Sequence, residues 1–535
     1  MPNTFREILA DPALRPVHGQ SLSDTQCPSL ADDSRTAEQG GVFIARGLWS
    51  ERSEEFVREA VGRGVAVVVL PVEAWEAKPE LRQLLESTGC GVAVVDVVDQ
   101  ALIGRMADRF YGHPAERLRL VGVTGTNGKT TVAMLTQHLL AVSGLKPGLM
   151  GTIWTDVGNE SGPVPASLTT PGAIELRRHL AEMVANGCDT AVMEVSSHAL
   201  DQGRVAGLAF DAAVFTNLTQ DHLDYHGTME AYAAAKARLF TMLKPEGWAI
   251  VNADEAFAEA MIARVSSGRV LRTRLGKPAE SGDGQLNQQE ATAIPEAMGA
   301  DQTAARFEGP WGSASAVMPL VGDHNVSNAL QAAATAHTIV RMTARQLRER
   351  LAACPPVPGR LEPVRRGDGA GPSVLVDYAH TPDALERVAS TLASLTRQRG
   401  GRLIVVYGCG GDRDRTKRPK MTAAALRYAD QAVLTSDNPR SEDPQQIIDD
   451  AATQVSAEGR RKLQTEVNRA AAIRMAVLSG AASDTVLIAG KGHEDYQVVA
   501  DPPGVFGQAT KQIHFDDREQ AAAALDDWRP PAVAC

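Results

Sequence analysis

Along the chain, short apolar runs rich in β-branched residues alternate with longer Ala/Leu/Glu/Arg stretches of helical spacing, and each run ends in polar or glycine-rich residues. The clearest runs are Val65–Leu70, Gly91–Val97, Leu120–Val123, Thr190–Val195, Ala212–Phe215, Ala249–Val251, Ser373–Val376, Leu403–Val406, Ala432–Leu434 and Thr485–Ile488. They predict strands, and the alternation predicts an α/β protein with mostly parallel sheets. Ligands of open parallel sheets bind beyond the carboxyl ends of the strands. Chemistry is therefore expected in the segments that follow the runs: GTNGKTT, EVSSHALDQGR, TNLTQDHLDYH, DYAHTP, GCGGDRDRTKRP, TSDNPRSEDP and AGKGHEDY.

A chain of 535 residues exceeds one compact core and predicts three domains. His113-Pro114 and the proline-rich CPPVPGR at Cys354–Arg360 place the divisions at 1–112, 113–354 and 355–535. Ser281–Gly312, with weak periodicity, reads as an irregular or β-rich excursion. The 54 Lys+Arg against 65 Asp+Glu, a net charge of -11, disfavour a broad nucleic-acid surface, so no nucleic-acid role is expected. The N-terminus lacks the pattern of a secretory signal, and the longest apolar runs are far shorter than a membrane span. Cys27, Cys90, Cys188, Cys354, Cys409 and Cys535 show no CxxC or zinc-ribbon spacing, which suits reduced thiols in the cytoplasm.

Leu120–Thr131, LVGVTGTNGKTT, is an apolar run followed by a glycine-containing loop and the helical stretch Val132–Val142. Backbone N–H groups of such a loop can approach phosphate oxygens, and the helix start adds a favourable dipole. Lys129 supplies charge, and Thr130 can offer its hydroxyl to Mg2+. The pattern departs from GxxxxGK[ST], because Val123 stands where the first glycine belongs. Other candidates are ambiguous on their residues alone. Glu194 suits a helix cap, His222 a structural histidine, Lys236 the exposed face of an Ala-rich helix, and Asp437–Arg440 an Asx-Pro turn.

The loop Gly125, Thr126, Asn127, Gly128, Lys129, Thr130, Thr131 resembles that of the Mur ligase and folylpolyglutamate synthase superfamily. MEVSSHALDQGR, TNLTQDHLDYH, AAAKARLF, GDHNVSNALQA, PGRLE and DYAHTPDAL follow in the family's order. The resemblance implies three α/β domains: an N-terminal UDP-binding domain, a central P-loop-type ATPase domain and a C-terminal Rossmann-like domain. It implies amide formation through an acyl phosphate, with ATP and Mg2+ as cofactors. Lys129 would serve the phosphates, and Thr130, Glu194, His222 and Lys236 the metal, with Lys236 bearing a CO2-derived carbamate. Asn325, Arg360 and Asp377 would complete the nucleotide site.

Finer matches imply the substrates. LTTP and EVSSH...QGR place Thr169, Thr170, Ser196, Gln202 and Arg204 at UDP-N-acetylmuramoyl-L-alanyl-D-glutamate, and DDSR adds Ser34 on the uridine side. After Gly47, LWSERSEEFV leaves the family pattern, so the loop at Trp49 is expected to bind differently. DNPR and GKGHE imply that Arg413, Asp437, Asn438, Pro439, Arg440, Gly490 and Glu494 take meso-diaminopimelate. The family's L-lysine users usually lack the arginine of DNPR. A monomer in the cytoplasm is expected. The alternatives are an L-lysine-adding relative, a folylpolyglutamate synthase and, from another class, a P-loop nucleotide switch, which the missing NKxD motif opposes.

Overall fold

Each of the ten predicted runs coincides with or overlaps a strand. Val67–Pro71 shows the physical reason. Val67 and Val69 pack with Ile8, Val95 and Met106, whereas Val68 and Leu70 pack with Val57, Leu81 and Val92, so both faces of the strand are buried. A parallel strand covered by helices on both sides can be apolar throughout, and this makes it conspicuous in sequence.

The computed structural model describes residues 4–19, 24–47, 49–266, 268–276, 288–299 and 301–530. Among them two compact units form. One holds the chain through Thr273 with Gln331–Arg341, and the other holds Ala291–Leu330 and the chain from Met342 onward.

The first unit contains two sheets. In one, Leu30–Ala31, Val42–Ile44, Val67–Pro71 and Gly91–Val95 run parallel, and Arg15–His18 closes the edge antiparallel. In the other, Arg119–Thr124 lies centrally between Thr190–Glu194 and Phe210–Phe215, all parallel. Pro147–Met150 extends this sheet on one side, and Leu243–Asn252 then Arg269–Leu275 on the other. Central placement carries the loop after Thr124 to the carboxyl edge, flanked by the ends of two neighbouring strands.

The second unit is built on the order Glu362–Val364, Ser373–Asp377, Thr485–Ala489, Leu403–Cys409, Gln431–Ser436 and Leu463–Glu466, parallel except for the first. A separate antiparallel ribbon pairs Tyr496–Ala500 with Thr510–His514. Of the excursion expected at Ser281–Gly312, residues 281–287 and 300 lie outside the described ones. The rest is β-rich: Gln288–Met298, Thr303–Gly309 and Gly312–Met318 form an antiparallel meander. Among the described residues no helix is long and apolar enough to cross a membrane. Cys27, Cys90, Cys188, Cys354 and Cys409 are buried and free. Burial raises the thiols of Cys90, Cys354 and Cys409 to about 12. Cys535 lies outside the described residues.

Candidate active site

The strand Arg119–Thr124 delivers the glycine loop to the start of the helix Lys129–Ala141. Gly125 has φ +151° and Gly128 φ +82°, backbone that favours glycine. A Cβ at Gly125 would stand 1.8 Å from Thr216 Oγ1. The segment after Phe210–Phe215 clasps this loop. Asn217 Oδ1 accepts from the Asn127 N–H at 2.8 Å, the Thr216 hydroxyl donates to the Asn127 carbonyl at 2.6 Å, and Thr126 N donates to Asn217 O at 2.9 Å. Lys129 Nζ donates to the carbonyls of Gly125 and Thr126 at 3.0 and 2.8 Å. Thr130 and Thr131 are buried in the first helical turn.

Glu194 ends its strand and is 1% exposed. Its carboxylate accepts from the Thr130 hydroxyl at 3.1 Å, the Thr152 N–H at 2.8 Å and the Thr152 hydroxyl at 3.0 Å. Carboxylate and hydroxyl oxygens at the mouth of a phosphate loop fit Mg2+, which takes one or two carboxylates and fills its octahedron with phosphate oxygens and water. Among the described residues no three His, Cys, Asp or Glu side chains form a ready cage, as that coordination habit requires none.

Lys236 lies in the helix Met229–Ala237 and is 1% exposed. Its Nζ donates to the Gly125 carbonyl at 2.8 Å and stands 4.2 Å above the Tyr232 ring. Burial, then the charge of Lys129, drives its pKa well below the usual lysine range. His222, at φ +52°, lies edge-on to His198 at 4.8 Å and to Tyr232 at 6.2 Å. Burial lowers its pKa too, so the imidazole is biased towards the neutral form that can ligate.

The carbonyl of Glu194 accepts from the Thr170 hydroxyl at 2.9 Å, and that oxygen accepts the Ser196 N–H at 3.0 Å. Thr169 and Thr152 hydroxyls meet at 3.1 Å. Arg204 donates to the Thr170 carbonyl at 2.9 Å and, through Nε and Nη2, to Gln202 Oε1 at 3.0 and 2.7 Å. The five residues expected at the muramoyl-dipeptide are therefore linked to Glu194 by hydrogen bonds, Thr170 directly and the others through Thr152, Thr170 or Arg204. Ser34, elsewhere in this unit, is buried and donates to Glu59 at 2.7 Å. Trp49 packs against the cluster containing Val57 and Leu81.

In the second unit, Asn325 is buried in the first turn of Asp323–Ile339 and donates to the Val321 carbonyl at 2.9 Å. Asp377 ends its strand and accepts the N–H groups of Leu361 and Ala379, each at 2.8 Å. Burial raises its pKa against the pull of Arg360. The Arg360 guanidinium lies 4.8 Å over the Tyr378 ring.

DNPR and GKGHE follow the strands Gln431–Ser436 and Thr485–Ala489 and meet. Asn438 donates to Glu494 at 2.8 Å, and a Cβ at Gly490 would come within 2.6 Å of Asp437 Oδ2. Pro439 leads into Arg440, which has φ +54°, an uncommon conformation outside glycine. The ribbon holds it there: Arg440 N donates to Val498 O at 2.9 Å, and its Nη1 to Gly411 O at 2.7 Å. Burial, then nearby Arg413, lowers the Arg440 pKa. Arg413 itself is exposed.

Several neighbours escaped the sequence reading. Lys491 is fully buried and donates to Glu494 at 3.1 Å and to the Tyr496 carbonyl. Gln497 donates to the Asp437 carbonyl. Thr216 and Asn217 stood in a quoted motif just after a run, a signal for loop chemistry. Thr152 follows no predicted run and carried none.

This arrangement, a phosphate loop clasped by the end of the neighbouring strand, a buried carboxylate beside it and a second α/β unit with a polar cluster beyond its strand ends, is that of an ATP-dependent ligase. Residues 123–336 match the Mur ligase middle domain and 359–492 the Mur ligase glutamate ligase domain. The chain is 42% identical over 527 residues to the UDP-N-acetylmuramoyl-L-alanyl-D-glutamate--2,6-diaminopimelate ligase of Synechococcus elongatus, covering 97% of this chain and 98% of that one. It is 40% identical to the ligase of the same name from Geobacillus kaustophilus, covering 93% and 95%. A solved structure of a UDP-N-acetylmuramoyl-L-alanyl-D-glutamate--2,6-diaminopimelate ligase superposes with TM-score 0.65 at 31% identity, covering 98% and 99%. The chain belongs to the Mur ligase family. A folylpolyglutamate synthase of Mycobacterium tuberculosis, TM-score 0.56 at 21% identity and covering 72% of this chain and 91% of its own, shares the fold.

Proposed function

We propose that the chain joins meso-diaminopimelate to the D-glutamyl γ-carboxylate of UDP-N-acetylmuramoyl-L-alanyl-D-glutamate, in cytoplasmic synthesis of peptidoglycan precursor. A carboxylate is a poor electrophile. Transfer of the ATP γ-phosphoryl group makes it an acyl phosphate, which the free amine of diaminopimelate attacks; the tetrahedral adduct then expels phosphate. No nucleophile of the protein is needed, so its work is positioning and charge neutralisation.

Lys129 and the loop N–H groups of Gly125–Thr131 take the phosphates. Mg2+, held by Thr130, Glu194, His222 and a carbamate on Lys236, would neutralise charge on the transferring group. A neutral buried amine is the form that adds to CO2, and the lowered pKa of Lys236 supports that modification. Arg360, Asp377 and Asn325 serve the nucleotide; Thr169, Thr170, Ser196, Gln202 and Arg204 the muramoyl-dipeptide; Ser34 the uridine side. The proposed domains are 1–112, 113–354 and 355–535, in a monomer.

One observation carries the amino-acid assignment: Asp437, Asn438, Arg440, Gly490 and Glu494 converge beyond the ends of the two strands that flank Leu403–Cys409. Diaminopimelate differs from a simple amine by a second amino-acid head, whose ammonium needs acceptors and whose carboxylate needs a cation. Asp437 and Glu494 supply the first, Arg440 and Arg413 the second. ADP release with UDP-muramoyl-dipeptide, comparing meso-diaminopimelate, L-lysine and no amino acid, tests the reading. We expect release only when both substrates are present and a preference for diaminopimelate. Preference for lysine overturns the specificity, and release independent of both substrates restores the switch.

A further inference from the structure

Beneath the amino-acid site lies an ion pair that the ligation chemistry does not use. Arg469 and Asp517 are the first residues of the helices Arg469–Ser479 and Asp517–Asp527. Both side chains are 0% exposed. Arg469 Nε and Nη2 donate to the two carboxylate oxygens of Asp517, each at 2.7 Å. The same guanidinium donates to the carbonyl of Ser436 at 3.3 Å and to that of Ala489 at 3.0 Å. Ser436 and Ala489 are the last residues of their strands, immediately before Asp437 and Gly490. Those strands are not neighbours, because Leu403–Cys409 runs between them. One planar group therefore bridges the two loops that make the site.

Stability does not account for this arrangement. A cation at the start of a helix opposes the helix dipole, and the favourable placement of Asp517 at the start of its own helix only offsets this. A buried ion pair seldom stabilises more than apolar side chains of similar volume, although removing one partner alone is strongly destabilising. Breaking a local rule at such cost is common where geometry serves function. Room for adjustment is small, since a Cβ on Gly490 would meet Asp437 Oδ2 at 2.6 Å and Arg469 Nη2 at 3.9 Å.

We propose that Arg469, clamped by Asp517, is a positioning residue for amino-acid selection: it sets the separation of Asp437–Arg440 from Gly490–Glu494 and hence the fit of the second amino-acid head. This rests on the amino-acid reading above. The fork of donors is what the role requires, because a point charge cannot bond two carbonyls and a carboxylate in one plane.

The test is the double variant Arg469→Met/Asp517→Leu in the full chain, which replaces both charges by apolar groups. The result expected is a Tm close to wild type, a KM for meso-diaminopimelate raised at least about tenfold, a KM for ATP within about twofold, and weaker discrimination against L-lysine. A folded double variant with unchanged amino-acid KM, or one whose ATP and amino-acid KM rise equally, overturns the proposal. Should the double variant not fold, Arg469→Lys keeps the charge without the fork and is expected to raise only the amino-acid KM; no such rise overturns the proposal. Arg440→Ala runs in parallel. If it leaves the amino-acid KM unmoved, the assignment of the site has failed rather than the role of Arg469.

Discussion

Lys236 shows how far a residue's local sequence can mislead. In MEAYAAAKARLF it looks like an exposed helical lysine, yet the fold sinks it against Gly125 and Tyr232. Among the described residues no carboxylate pairs with Lys236, so an ammonium buried there would be costly, and the lowered pKa favours the amine. Lys236→Ala is expected to lower kcat by about 10²-fold, the scale for losing one charge-stabilising group, with little change in nucleotide KM. Bicarbonate should restore a decarbamylated wild-type preparation and leave the variant unmoved in the same turnover assay. Since CO2 adds to the neutral amine, recovery at constant dissolved CO2 should quicken as pH rises through the folded pKa of Lys236. At Gly125 the constraint is steric: Gly125→Ala would drive Cβ into Thr216 Oγ1, 1.8 Å away. Calorimetry should show ATP binding lost while the far-UV circular dichroism is kept.

The ten apolar runs were legible as elements because burial on both faces leaves no polar alternation to confuse them. Strands whose residues depart from that pattern were not, whether buried or half-exposed. Pro147–Met150 carries proline and glycine, and Arg269–Leu275, RVLRTRL, interleaves arginines with its apolar residues. The clasp of Thr216 and Asn217 on the glycine loop depends on the adjacency of two strands far apart in sequence, which no local pattern encodes. Tethers between elements are equally non-local. Asp11 accepts from Arg105 at 2.7 Å and Arg109 at 3.0 Å, pinning the N-terminal segment to the helix Gln100–Phe110. Burial pushes this carboxyl up, but bonds from Arg105, Ala13 and Arg109 outweigh it and hold the pKa at about 2, below the usual 3.8. The ionised form is therefore favoured in the fold. Its stabilisation is fully present above pH 3.8 and is lost as pH falls through about 2. Asp11→Asn should lower Tm at neutral pH, and the gap from wild type should shrink between those limits in a thermal melt series.

At the scale of the whole molecule, a net charge of -11 contrasts with ligands that are themselves anionic. Under the proposed function a few placed cations resolve this: Lys129 at the start of a helix, and Arg204, Arg360, Arg413 and Arg440 in loops. Arg440 is the sharpest case, held at φ +54° by bonds to Val498 and Gly411. Arg440→Ala should raise the KM for meso-diaminopimelate by about 10- to 100-fold, the range for losing a hydrogen-bonded charge, with the ATP KM within about twofold. Equal rises in both would place Arg440 outside the amino-acid site.

The sequence by itself determined the α/β class, the strands buried on both faces, the phosphate loop and the family, because each rests on short contiguous patterns of composition or motif. Only the tertiary structure decided that Lys236 is buried, that Thr152 and Thr130 share Glu194, that Asn438 sits against Glu494, and that Arg469 joins the ends of two strands. These are contacts between segments distant in the chain. Packing brings them together, and local sequence carries no record of which distant residue a side chain will meet.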